Sequence, residues 1–330
     1  MSNKSSVAAN IENKKSVIWS VTPVMVATAI FCCILWGSAS PAIKIAYSLF
    51  KIEASDTASR LMLAGARFML AGIMTIVLGS LLAKKLLLPK AESLKYIVIL
   101  SLFQTIGQYY FFFMSLANTS GVRGSIINAS GNFLAPLFAI FLFRLESFNV
   151  KKMIGCIVGF AGIIFFFGGS SAFSLGGQMT LAGEGAMLCA AFFYAISGCS
   201  IKLFSKHENP VVLSGYQFAL GGAVLFVIGL LKGGSLTFYS TGCYLNLLYM
   251  GFISAGAYTL WGVLLKYTPV SKVSVLGFVH PIMGVLLSAL FLGESTEAFS
   301  ITSVLALLLV SAGIIIVNAK FGAEHLSINS

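Results

Sequence analysis

Apolar residues in this chain come in long unbroken runs, not at the 3.6-residue or 2-residue spacing of a half-buried helix or strand. About ten of these runs reach the roughly 17 to 25 residues that carry a helix across the hydrocarbon of a bilayer. They predict spans near residues 18–40, 61–82, 96–116, 123–143, 153–170, 183–203, 211–231, 243–265, 273–292 and 300–318. A membrane barrel would need short stretches of alternating polarity, and none is visible. Backbone groups inside lipid cannot turn to water, so helices are the form left.

The polar residues between the runs set the orientation. With the amino terminus inside, the inner gaps and tails hold Lys4, Lys14, Lys15, Lys84, Lys85, Lys90, Lys95, Arg144, Lys151, Lys152, Lys202, Lys206, Lys266, Lys272 and Lys320. Those are fifteen of the twenty-one basic residues. The outer side receives Lys44, Lys51, Arg60, Arg123 and Lys232, and Arg67 falls within a span. The positive-inside rule then places both termini in the cytoplasm. The formal net charge of +11 is therefore a topology signal and not a nucleic-acid face. With 58% of residues hydrophobic and only 9% charged, an ordinary soluble core is excluded. The first run follows a polar stretch and superficially resembles a signal peptide, but it has a counterpart in the second half, and its removal would leave an odd helix count.

Five segments echo one another between the halves. "SLANTSGVRGSIINASGNF" from Ser115 lies over "VLLKYTPVSKVSVLGFVHP" from Val263 without a gap, pairing Asn132 with His280 and Ser120 with Thr268. "RFMLAGIMTIVLGSLL" from Arg67 lies over "QFALGGAVLFVIGLLK" from Gln217, pairing Gly72 with Gly222 and Gly79 with Gly229. "WGSASPAIK" from Trp36 matches "YAISGCSIK" from Tyr194, Ala161-Gly162 returns as Ala312-Gly313, and Glu146 closes the fourth span as Glu294 closes the ninth. Five spans per repeat place the second repeat upside down relative to the first, the usual architecture of alternating-access carriers. The expected division is a cytoplasmic tail over 1–17, a first five-helix repeat over 18–170, an external linker over 171–182, a second repeat over 183–318 and a cytoplasmic tail over 319–330.

Trp36-Gly37, Arg67-Phe68, "SLANTS" before the fourth span and "HPIMGVLLSALFLGES" at the ninth resemble the drug/metabolite transporter superfamily, specifically its EamA-type members. The likeness runs from about Ala27 to Asn318. It implies an all-α integral membrane protein of ten transmembrane helices in two inverted five-helix repeats around a central cavity. It also implies movement of small organic metabolites or amino acids across the inner membrane, often as export, driven by protons or by the solute's own gradient. The first half departs from the pattern: Phe133 stands where the repeat comparison places a proline, Pro136 follows, and Arg144-Leu145 replaces the Leu292-Gly293 of the second half.

Polar residues inside the spans are the candidates for substrate binding. Asn128 and Asn132 lie four apart on one helix face, where an amide either lines a wet cavity or bonds a neighbouring helix. His280 precedes a proline, and its imidazole titrates near neutral pH, so it is a candidate for substrate contact or proton coupling beside the alternative of a neutral packed ring. Arg67 either holds a substrate charge or hydrogen-bonds helix ends. Gln104 and Gln108 are again four apart, Gln217 is the repeat counterpart of Arg67, and Tyr258 with Trp261 offers flat amphipathic surfaces suited to an organic solute. Trp36 and Tyr194 close their spans, where rings serve either as cavity lining or as interface anchors. Glu146, Glu184 and Glu294 are expected to make helix-end or gate hydrogen bonds, and Gly155, Gly159, Gly251 and Ala255 to let helices approach.

Cys32, Cys33, Cys156, Cys189, Cys199 and Cys243 show no metal-ligand spacing and read as small buried side chains. Nucleotide-binding and metalloprotease signatures are missing, and no gap could hold a nucleotide domain. The expectation is a secondary transporter without cofactor or metal, not an enzyme, whose partners are a small organic solute, the lipid bilayer and protons. The glycine faces leave a homo-oligomer open. An uncoupled facilitator or channel, and a non-transport membrane scaffold or enzyme, are the alternatives.

Overall fold

Helices form over the apolar runs in a computed structural model that describes residues 22–145, 147–172, 180–267 and 276–318. They are α1 (Pro23–Leu49), α2 (Thr57–Ala83), α3 (Ala91–Asn118), α4 (Gly121–Phe141), α5 (Val150–Ala172), α6 (Leu181–Phe204), α7 (Pro210–Leu231), α8 (Thr241–Tyr267), α9 (Leu276–Leu292) and α10 (Ile301–Asn318). Among the described residues α1, α2, α3, α4, α6 and α7 are each long and apolar enough to cross a membrane, while α9 and α10 are apolar but shorter. The chain is an all-α, multi-spanning membrane protein. Lys4, Lys14, Lys15, Glu146, residues 173–179 of the linker, Thr268, Lys272 and Lys320 lie outside the described residues.

The side chains are arranged for a hydrocarbon solvent. Ile73, Ile157, Leu290 and Leu308 face outward, whereas Arg67, Gln104, Gln108, Glu184 and Gln217 are buried. Lipid supplies no partner for a polar group, so such groups turn inward and find one another. The helix starts follow the same rule. Asp56, Ser120, Thr180 and Asn209 each accept a hydrogen bond from a first-turn backbone N–H, at 2.9 to 3.0 Å.

The first helix differs from expectation. Its span was expected to end near residue 40, but α1 bends at Ser38 and continues to Leu49. Pro41 has no N–H to return to the Gly37 carbonyl, which accounts for a bend rather than a stop. Lys44 therefore lies within α1 and not in an outer gap. Its ammonium donates to the carbonyls of Leu116 at 3.3 Å and Thr119 at 2.7 Å, at the open carboxyl end of α3.

Two antiparallel helix crossings organise the bundle: α2 lies along α7, and α5 along α10. At the first, a Cβ on Gly72 would fall 2.5 Å from the Ala219 nitrogen and 2.7 Å from the Gly215 carbonyl oxygen. A Cβ on Gly222 would meet the Met69 nitrogen at 2.5 Å and the Gly65 oxygen at 2.8 Å. Each contact is the image of the other under the pairing of Gly72 with Gly222. At the second crossing a Cβ on Gly162 would lie 3.1 Å from the Ala306 oxygen, and one on Gly313 2.7 Å from the Gly155 oxygen. The glycines expected to be packing devices, Gly155 and Gly159, serve contacts within the chain, and so does Gly251 against Leu70. Without a hydrophobic drive between helices in lipid, close backbone approach is the main source of their attraction.

A side chain at these crossings has nowhere to go. Gly222→Val should cost about 1–3 kcal/mol by overpacking and lower the thermal unfolding midpoint in detergent. Gly198→Ala is the control: its Cβ would meet nothing within 4 Å, and its midpoint should stay or rise slightly. Equal midpoints for the two variants would mean that α2 and α7 do not approach this closely.

Candidate functional site

A third close crossing sets the site. A Cβ on Gly37 of α1 would lie 2.8 Å from the Gly284 nitrogen of α9, and one on Gly284 would lie 2.5 Å from Ser125 Oγ of α4. This draws together α1, α4 and α9 and brings the Trp36 and His280 rings to a centroid separation of 6.1 Å. Beside them is a cavity with about 680 Å³ of free space, counting the part open to the outside.

Trp36, Arg67, Gln108, Asn128, Asn132, Tyr194, Tyr258, Trp261 and His280, candidates from the sequence, all line this one cavity. Gln104 and Gln217 are not among its lining residues. They pair with each other: Gln217 Nε2 donates to Gln104 Oε1 at 3.1 Å, and Thr105 Oγ1 donates to Gln217 Oε1 at 2.5 Å. Their amides tie α3 to α7. Both glutamines lie in a π-helical stretch of α3, Ser101–Gln108, where Gln104 bonds α7 and Gln108 lines the cavity. In α4, Asn128 and Asn132 flank a tightened stretch in which Ser130, Asn132 and Phe133 donate to carbonyls three residues back.

Arg67 is buried, and its guanidinium is held in a fixed fork. Nε donates to the Met250 carbonyl at 3.2 Å and Nη2 to Ser254 Oγ at 3.1 Å, both on α8. The guanidinium carbon lies 5.0 Å from the Phe68 ring centroid, 5.5 Å from that of Tyr109 and 6.0 Å from that of Phe113. Among the described residues no carboxylate pairs with it. The aromatic wall centres on Trp36, whose ring meets Tyr258 at 5.4 Å and Trp261 at 5.0 Å, both edge-on. Cys33, Ala39, Tyr109, Phe112 and Gly277 line the cavity too and were not singled out from the sequence. Tyr109 carried a signal, since it follows Gln108 directly; its hydroxyl lies 3.2 Å from that of Tyr258. The others are apolar or small residues in apolar runs and carry none.

Glu184, Glu294 and Glu297 sit apart from the cavity, at the end of the bundle where α3 meets α4. Both oxygens of Glu294 accept backbone N–H groups at the start of α4, from Gly121 at 3.0 Å and Val122 at 2.9 Å. Glu184 accepts from Thr119 Oγ1 at 2.8 Å and Thr180 N at 3.0 Å. Arg123 joins Glu184 at 3.4 Å and Glu297 at 2.6 Å. Glu184 and Glu294 thus make the helix-end bonds expected of them, and this cluster links α3, α4 and α6 to the segment that follows α9.

The cavity is polar and aromatic and lies inside an all-helical membrane bundle. The sequence matches the EamA-like transporter family over residues 23–168 and again over 181–319, and the chain belongs to that family. It is thereby a member of the drug/metabolite transporter superfamily, a family of membrane transporters. It is 25% identical over 307 residues to the uncharacterized transporter YvbV of Bacillus subtilis, covering 89% of this chain and 91% of that one. A second uncharacterized transporter of the same organism, YoaV, is 24% identical over 261 residues, 77% of this chain and 85% of its own. A WAT1-related chloroplastic protein of Arabidopsis thaliana is 29% identical over 199 residues, 58% of this chain, and the chain spans only 47% of that relative's length. A solved crystal structure superposes with a TM-score of 0.63 over 89% of this chain and 97% of the other at 17% identity, a likeness of fold.

Glu294 caps a helix from a distant element, so its loss leaves two N–H groups without their acceptor. Glu294→Ala should cost about 1–2 kcal/mol of stability. Glu297→Ala, which removes one half-exposed ion pair, should cost less than about 1 kcal/mol. Thermal unfolding of both in detergent checks the order, and a larger loss for Glu297→Ala would contradict it.

Proposed function

We propose that the chain is a secondary transporter of a small organic metabolite, with amino acids and related compounds the favoured class, working by alternating access as an exporter in the cytoplasmic membrane. The observation that carries this is a cavity lined by Arg67, Asn128, Asn132, Tyr258 and His280 within an apolar bundle, with walls drawn from both halves of the chain. A polar cavity in a lipid-facing bundle is costly to maintain unless a solute uses it. It also weighs against a scaffold whose helices serve only as packing surface.

On this reading ten membrane helices form two inverted five-helix repeats, with both termini in the cytoplasm. The double match to the family supports this, as do the mirrored glycine contacts at the α2–α7 and α5–α10 crossings. The repeats rock about the cavity and expose it to each side in turn. The charge cluster of Arg123, Glu184, Glu294 and Glu297 lies at one end of the path, where it is suited to close that end between strokes.

Within the cavity the Asn128 and Asn132 amides and the Tyr258 hydroxyl orient the solute, Arg67 meets its charge, and His280 is the candidate for proton coupling. An uncoupled facilitator is the second reading, favoured because none of the cavity-lining residues is acidic. The test is flux in vesicles containing the purified protein, with and without a pH gradient. Asn132→Ala and His280→Ala should each lower flux about tenfold, the loss expected when one or two hydrogen bonds to the solute disappear. Unchanged flux in both, with normal thermal stability, would refute the site. A variant His280→Asn that still transports but no longer responds to the pH gradient supports coupling; wild-type flux indifferent to the gradient supports the facilitator.

A further inference from the structure

We infer that the solute carries an acidic group, and that this group is the counter-ion of Arg67. The inference rests on the transport reading and narrows it to organic acids with a flat or ring-bearing body, zwitterions included.

Three polar atoms in the cavity wall are buried and lack a hydrogen-bond partner: Arg67 Nη1, Trp36 Nε1 and Gln108 Oε1. Buried polar atoms are nearly always paired, because an unpaired one forfeits its bonds to water without return. Outside the cavity lining, the unpaired atoms among the described residues are Arg60 Nη1, Asn246 Oδ1 and the hydroxyls of Thr75, Ser115, Ser130, Ser288 and Ser311. The other three belong to residues that line the one cavity, and they differ in kind: a cationic donor, a neutral donor and an acceptor.

Charge then decides what fills them. Arg67 is the only lining residue with a permanent charge, and no lining residue is acidic. Its other contacts are neutral oxygens, the Met250 carbonyl and the Ser254 hydroxyl, which hold the fork in place without neutralising it. A guanidinium does not give up its proton in a protein, so the empty position at Nη1 favours an anionic oxygen.

Aromatic walls by themselves would suit a cation equally well. Here the nearby rings of Phe68, Tyr109 and Phe113 already face the protein's own cation at 5.0 to 6.0 Å. A second cation would meet an uncompensated guanidinium at short range in a medium of low dielectric. An ammonium fits only beside a carboxylate on the same molecule, with Gln108 Oε1 as its acceptor. The edge-on rings around Trp36 leave flat surfaces for the rest of the solute.

The experiment compares three ligands that share a phenyl ring and differ in charge: 3-phenylpropionate, phenylalanine and phenethylamine. Binding to the purified full chain in detergent is read by tryptophan fluorescence, since Trp36 and Trp261 line the cavity. The two carboxylates should bind at least about tenfold more tightly than the amine. Arg67→Gln should abolish that preference and Arg67→Lys should keep part of it. An amine that binds as tightly as the acids overturns the inference, as does an acid-to-amine ratio unchanged in both variants, or no binding by any of the three up to about 10 mM. If Arg67→Gln does not fold, the wild-type ratio decides. Vesicle flux is read separately: acid-selective binding without flux of any solute overturns the transport reading alone, whereas flux of neutral or cationic solutes without preference for acids overturns this inference alone.

Discussion

An unpaired polar group in hydrocarbon costs several kcal/mol, and the bundle is arranged around that penalty. Side chains cap the starts of α2, α4, α6 and α7, and Glu294 reaches from beyond α9 to cover two further N–H groups of α4. Lys44 covers carbonyls at the end of α3, and the Gln104 and Gln217 amides pair across α3 and α7. Three of the buried polar atoms left without a partner, Arg67 Nη1, Trp36 Nε1 and Gln108 Oε1, belong to residues that line the cavity, and on them rests the inference that an acidic solute binds there.

Close helix approach is the second constraint, and it follows from the first. Lipid tails are as apolar as the leucines that face them, so helices gain little by hiding apolar surface from lipid and must gain by contact. Glycine at the α2–α7, α5–α10 and α1–α9 crossings brings backbones within van der Waals contact. The α1–α9 crossing also sets Trp36 beside His280, while α2, held against α7, presents Arg67 to α8. Packing and site are thus one arrangement: the small residues that let helices touch decide where the large polar ones point.

The cavity and the charge cluster divide the chain's polar chemistry. Glu184, Glu294 and Glu297 meet where α3 joins α4, paired with Arg123 and with backbone N–H groups, while the cavity lining holds a guanidinium, amides and rings and no carboxylate. Separating the two signs of charge keeps the acids from neutralising Arg67. It also leaves the bonds that join the helix ends independent of those that meet a solute.

Much of this was legible in the residues. Partition between lipid and polar surroundings is a property of each side chain and its solvent, so apolar runs marked the helices, and Arg67, Asn128, Asn132, Gln108 and His280 stood out as polar groups needing a reason to be inside. The ring residues Trp36, Tyr194, Tyr258 and Trp261 stood out in the same way. Pairing is a property of two helices, of their rotation and their distance. The sequence alone could not tell that Gln104 meets Gln217 instead of the cavity, that α1 bends at Ser38 and carries Lys44 on to the end of α3, or that Cys33 and Phe112 face inward. Composition and spacing by themselves determined the helices, the internal echo and most of the polar candidates. Only the tertiary structure decided which candidates meet, because a meeting depends on crossings that no single helix contains.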